Sequence, residues 1–89
     1  MKIKLELFGA SRDFSDKDHL DIELQDKASI DDLRNEIIKY LDKNFKGNES
    51  FIKVVKSSAF CSENNEIISD NYKITKDQKI GIIPPIGGG

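Results

Sequence analysis

Tryptophan is absent, and cysteine and histidine occur once each, as Cys61 and His19. One cysteine excludes an intrachain disulfide framework and a cysteine-based zinc cluster. One histidine excludes a multi-histidine metal site. Any Ser–His or Cys–His catalytic pair must then use His19, which follows the polar run Ser15-Asp16-Lys17-Asp18. A basic excess is also missing: 14 Lys and Arg stand against 16 Asp and Glu, so no nucleic-acid partner is expected. No apolar run approaches the roughly 20 residues that span a bilayer, so no membrane partner is expected either. Met1-Lys2-Ile3-Lys4-Leu5 has no signal-peptide core, which makes the cytoplasm the expected compartment. A chain of 89 residues holds one small core and leaves little room for a deep internal active site.

What is present is pattern. Ile3, Leu5 and Leu7 alternate with Lys2, Lys4 and Glu6, which predicts a half-buried strand ending at Gly9. Residues 9–19 are polar and read as a loop. Leu20, Ile22 and Leu24 alternate with Asp21 and Glu23, giving a second strand and a hairpin with a long connection. Ser29 is a good N-cap, with Asp32 three residues on. Ile30, Leu33, Ile37, Tyr40 and Leu41 then form one apolar stripe, and Gly47 is a plausible stop, so a helix is predicted over 30–45.

Residues 51–62 keep neither period well. The reading is a turn or irregular segment over 50–56 and a strand over 57–61. Glu63-Asn64-Asn65 forms a turn, residues 66–68 a short strand, and Tyr72 and Ile74 plug the core from a loop. Lys76-Asp77-Gln78 turns into a last strand, Lys79 to Ile83, which Pro84 and Pro85 end because they cannot donate ladder hydrogen bonds. Strand, strand, helix and three strands point to an α+β fold of the β-grasp, or ubiquitin-like, type. One main helix covers one face of a mixed sheet, with the last strand central and parallel to the first. Residues 1–83 form the domain and residues 84–89 a flexible C-terminal tail.

The tail carries the most specific information. Gly87-Gly88-Gly89 has no packing value and costs ordering entropy. Pro84-Pro85 stiffens the exit from a buried strand and projects the tail. Six residues from Pro84 onward reach roughly 20 Å when extended. Lacking side chains, glycines can thread a narrow tunnel in another protein and deliver the α-carboxylate of Gly89. Adenylation makes that carboxylate reactive, and a sulfur donor can then displace the adenylate to leave a thiocarboxylate.

Ile82-Ile83-Pro84-Pro85-Ile86-Gly87-Gly88-Gly89 resembles the ending of the small subunit of molybdopterin synthase, the MoaD-like sulfur carriers. Gly87 takes the family's small position, and Gly88 and Gly89 its functional pair. Leu7-Phe8-Gly9-Ala10-Ser11-Arg12-Asp13 resembles the family's first strand and the loop after it. Asp77 departs from the glycine usual before the last strand, and a left-handed aspartate would accommodate it. Residues 57–65 also differ. The resemblance implies a chain that is no enzyme on its own and holds no permanent cofactor. It implies an E1-like adenylyltransferase that uses ATP and Mg²⁺, and a sulfurtransferase or cysteine desulfurase as sulfur donor. It further implies a large synthase subunit, joined in a heterotetramer, which supplies the catalytic residues and builds the dithiolene of molybdopterin.

Adjacent apolar pairs give a separate sign of a partner. Leu7-Phe8, Ile67-Ile68 and Ile82-Ile83 each send one residue to either face of the sheet, and a single helix covers only one face. Phe8, Ile67 and Ile83, continued by Pro84, Pro85, Ile86 and Gly87, are therefore the expected partner interface. Cys61 reads as a small apolar strand residue and His19 as a solvated loop residue. Asp13–Asp21 reads as a solvated acidic loop. Lys53, Lys56, Lys73, Lys76 and Lys79 read as solubilising charges. Three functions remain open: the molybdopterin carrier, a carrier for thiamine or tRNA thiolation, and a β-grasp protein modifier or interaction module.

Overall fold

A computed structural model describes residues 1–85. Its elements are β1 (Lys2–Leu7), a 3-10 turn (Gly9–Phe14), β2 (His19–Glu23), α1 (Ile30–Phe45), α2 (Glu49–Ser57), β3 (Ala59–Cys61), β4 (Ile67–Ile68) and β5 (Gln78–Ile83). The five strands order as β2-β1-β5-β3-β4. β5 is central and runs parallel to β1, while the β1–β2, β3–β5 and β3–β4 pairs are antiparallel. This is the expected β-grasp arrangement.

Alternation decides what each strand buries. Ile3, Leu5, Leu7, Leu20, Ile22, Phe60, Ile80 and Ile82 point to one face and are buried there. Ile30, Leu33, Ile37 and Leu41 of α1 meet them. Each such side chain contributes about 1.5–3 kcal/mol relative to exposure. α1 begins where Ser29 and Asp32 cap each other reciprocally. The Ser29 hydroxyl accepts the Asp32 N–H at 3.1 Å, and the Asp32 carboxylate accepts the Ser29 N–H at 2.9 Å. It ends as Lys46 and Gly47 turn left-handed, at φ 54° and 69°.

Several expectations are corrected. Residues 50–56 lie in a helix rather than an irregular segment. β-branched Ile52, Val54 and Val55 weigh against a helix locally, but Asn48 caps it by accepting the Phe51 N–H at 3.2 Å. The Phe51 ring then packs 5.2 Å from that of Phe14 and 5.1 Å from that of Phe45, so burial of one face overrules propensity. The loop after β1 contains the 3-10 turn, because Phe14 is wholly buried and pulls it onto the core. Ile74 is a core plug as expected, but Tyr72 is 44% exposed. Asp77 does not turn left-handed. Its carboxylate accepts the Lys2 backbone N–H at 2.8 Å, tying the entry of β5 to the start of β1.

Arg34, on α1, was not anticipated as a core residue. Its guanidinium donates to the carbonyls of Val55 at 2.7 Å and Ser58 at 2.9 Å, and to the Asp70 carboxylate at 2.6 Å. It also lies 5.0 Å from the centroid of the Phe60 ring. One side chain thus fastens the end of α2, the entry to β3 and the loop after β4 to α1. No helix among the described residues is long and apolar enough to cross a membrane.

Candidate functional site

The face of the sheet opposite α1 carries the candidate site. Leu7 points into the core, so Phe8 must turn to the other face. Ser11 fixes it there. The buried Ser11 hydroxyl accepts the Phe8 N–H at 2.9 Å and donates to the Phe8 carbonyl at 2.6 Å, and the Ser11 N–H reaches the same carbonyl at 3.1 Å. The Phe8 ring then crosses to β5, where residue 81 is glycine. A Cβ at Gly81 would stand 2.8 Å from Phe8 Cε2 and 2.8 Å from Cys61 Sγ, so only a bare backbone admits both neighbours.

Register completes the patch. Gly81 pairs with Glu6 and Cys61, Ile83 with Ala59, and Ile67 with Cys61. Phe8 is 45% and Ile67 68% exposed, while Ile83 is half-buried. The partners of these pairs, Leu7 and Ile82, are buried, and Ile68 packs against the core. The Lys79 ammonium meets Glu6 at 2.9 Å beside the patch, and the Glu63 carboxylate accepts the Lys79 backbone N–H at 2.9 Å. The hydrogen bond to Glu6, then its charge, raises the Lys79 pKa. A cleft of about 190 Å³ lies between Phe8, Cys61, Gly81 and this charged cluster.

The root of the tail adjoins the same face. Pro84 is buried, with its ring 3.9 Å from where a Cβ on Gly9 would stand, and Pro85 is exposed. Gly9 takes a left-handed φ of 55°, which lets the chain leave β1 beside that proline. Phe8, Ile67, Ile83, Pro84 and Pro85 are thus placed by the structure, whereas Ile86, Gly87, Gly88 and Gly89 lie outside the described residues.

The profile of the ThiS family matches residues 5–89. The chain belongs to the ThiS family. Among solved structures, a provisionally assigned molybdopterin converting factor, subunit 1, from Pyrococcus furiosus is similar at 25% identity and a TM-score of 0.69. The match covers 96% of this chain and 98% of that one. SAMP1 from Haloferax volcanii, 13% identical, matches over 100% of both chains with a TM-score of 0.68 and speaks to the fold alone. No curated protein matches the chain in sequence. The fold is that of a ThiS/MoaD-like, ubiquitin-like sulfur carrier.

The structure also places the remaining candidates. Cys61 is buried in β3, as expected of a small apolar strand residue. His19 opens β2 and is half-buried, rather than free in the loop. Its Nδ1 lies 2.9 Å from Asp18 Oδ1, and this hydrogen bond lowers the Asp18 pKa. Among the described residues, no three His, Cys, Asp or Glu side chains gather as a metal site. The five lysines do not share one surface element: Lys53 and Lys56 sit on α2, and Lys79 faces Glu6 from β5. Sequence reasoning missed Ser11 and Gly81, the residues that hold and seat Phe8. The small residues Gly9, Ala10 and Ser11 after Phe8 and the glycine inside an apolar strand were the available signals.

Proposed function

We propose that this ThiS-family chain carries sulfur on the carboxylate of Gly89 as the small subunit of a molybdopterin synthase. The carboxylate attacks the α-phosphorus of ATP on an E1-like adenylyltransferase with Mg²⁺, releasing pyrophosphate and forming an acyl adenylate. A sulfur nucleophile at the sulfide level then displaces AMP and leaves a thiocarboxylate. A persulfide donor, such as a sulfurtransferase or cysteine desulfurase, needs a thiol in addition to release the loaded chain. Gly88 and Gly87 let the tail enter a large subunit that holds the catalytic groups. The outer-face patch of Phe8, Ile67 and Ile83, continued by Pro85 and Ile86, supplies the docking contact.

The observation that supports this most is the extent of the family match. It runs from β1 through residue 89, so the glycines belong to the matched domain and are not an appendage. The Pro-Pro step at 84–85 favours the molybdopterin pathway over thiamine or tRNA thiolation, and the likeness to a converting-factor subunit points the same way. Reconstitution with a synthase large subunit, loaded carrier and the cyclic pterin precursor tests the pathway. Dithiolene formation is expected, and sulfur that reaches only a thiazole precursor or a tRNA base contradicts it.

A further inference from the structure

Among the described residues the sheet has two open edges, and they differ. β4 offers two residues, too few to template another strand. β2 offers five and borders β1 alone. Met1 and Leu24 exchange both backbone hydrogen bonds, at 2.6 and 2.9 Å. Such pairs alternate along an antiparallel ladder. With Lys2 opposite Glu23, Lys4 opposite Asp21 and Glu6 opposite His19, the backbone N–H and C=O of His19, Asp21 and Glu23 face the open side.

A groove follows that edge against α1. A stretch of about 300 Å³ lies between Asp21–Glu23 and the side chains of Glu36, Tyr40 and Lys43. Through Glu23, Glu36 and Lys39 it joins a second stretch of about 570 Å³ that reaches Leu24 and Ala28. Unpaired edge groups beside a groove are a template for an added strand.

Charge selects the occupant. Asp21 and Glu23 are exposed on the sheet face away from α1. Their β1 neighbours are Lys4 and Lys2, so β2 already pairs with a strand that alternates lysine and apolar residues. An added strand meets the same carboxylates from the other flank. On the groove side it meets Tyr40, Lys39, Lys43 and Glu36, above the largely buried Ile22 and Leu24. Cationic residues therefore belong on the outer face and apolar ones in the groove. A second copy of β2 fits badly, since antiparallel pairing centred on Asp21 sets aspartate against aspartate.

We infer that the open edge of β2 and the groove along α1 form a docking site for an extended segment of a partner protein in which lysine or arginine alternates with apolar residues. The segment adds as a further strand. This site is separate from the tail and from the Phe8 face, so its loss leaves sulfur loading unchanged.

Titrating the ¹⁵N-labelled full chain with acetyl-Lys-Val-Lys-Val-Lys-amide tests it. Saturable amide shifts are expected at His19, Asp21 and Glu23, with Phe8 and Ile67 unmoved. The double variant Asp21→Lys, Glu23→Lys is expected to weaken binding about tenfold, from two reversed cross-strand pairs. A backbone N-methylated peptide keeps the charge, loses the edge hydrogen bonds and is expected not to bind, which keeps the test valid if the double variant is unstable. Equal affinity for a Glu-Val peptide, for the N-methylated peptide or for the folded double variant overturns the inference. So do shifts centred on Phe8, no shifts at millimolar peptide, or β2 shifts that appear on concentrating the protein alone, which mark a second copy as the occupant.

Discussion

The Phe8 ring rests on the bare backbone of Gly81, 2.8 Å from where any Cβ at that position would stand. Two principles give opposite signs for Gly81→Ala. Strand glycines weaken a sheet, so propensity alone favours alanine by about 0.5–1 kcal/mol. Overlap with Phe8 and with the buried Cys61 Sγ costs about 1–3 kcal/mol. Phe8 is held by Ser11 and Cys61 is buried, so neither neighbour yields freely and the overlap prevails. Chemical denaturation is expected to show Gly81→Ala destabilised, and adding Phe8→Ala should return part of the loss. A Gly81→Ala chain more stable than the parent contradicts this packing.

Phe8→Asp separates fold from docking. Exposed positions change stability by about 0.5 kcal/mol or less, so the denaturation midpoint should barely move. Affinity for a synthase large subunit should fall at least about tenfold, as for a central aromatic anchor. Chemical denaturation reads the first arm and titration calorimetry the second, and unchanged affinity removes Phe8 from the interface.

Arg34→Met tests the internal clasp. The change keeps the apolar stem and strips the Ser58 carbonyl and Asp70 of their donor. A loss of about 1–3 kcal/mol is expected, because the Ser58 carbonyl, left buried without a donor, keeps its desolvation cost. Hydrogen exchange should quicken first in α2 and β3, and uniform loss of protection would contradict a local clasp.

How far the fold was legible follows the strength of each pattern. β1, β2 and α1 announce themselves through clean periods of two and of about four, and Ser29 with Asp32 marks the helix start. α2 hid because its β-branched residues resemble a strand, and its burial depends on Phe14, distant in sequence, as well as on Phe45. Arg34 hid because nothing local shows that three chain segments converge on it. The outer face was readable, since adjacent apolar pairs at 7–8, 67–68 and 82–83 must split between faces. Which residue leaves room for Phe8 was not, because the contact with Gly81 arises only from the β1–β5 register.

Acid should loosen the start of α1. Hydrogen bonds from the Ser29 backbone N–H, then from its hydroxyl, hold the Asp32 pKa below its ordinary value of 3.8. A lowered folded pKa gives stability that is present above the unfolded value and lost as pH falls through the folded one. The stability gap between wild type and Asp32→Asn should thus be full at pH 7 and close below about pH 4. A gap constant from pH 7 to pH 2 contradicts this role.

The carboxylate of Gly89 is the centre of the account, and intact mass spectrometry addresses it most directly. The full chain is incubated with ATP, Mg²⁺, an E1-like adenylyltransferase of a ThiS-family pathway and a sulfide source, beside a chain lacking Gly88 and Gly89. The full chain should gain roughly 16 Da as sulfur replaces one oxygen of the activated acyl group, and the shortened chain nothing. No gain under conditions that load another ThiS-family carrier, or an equal gain in the shortened chain, contradicts the account.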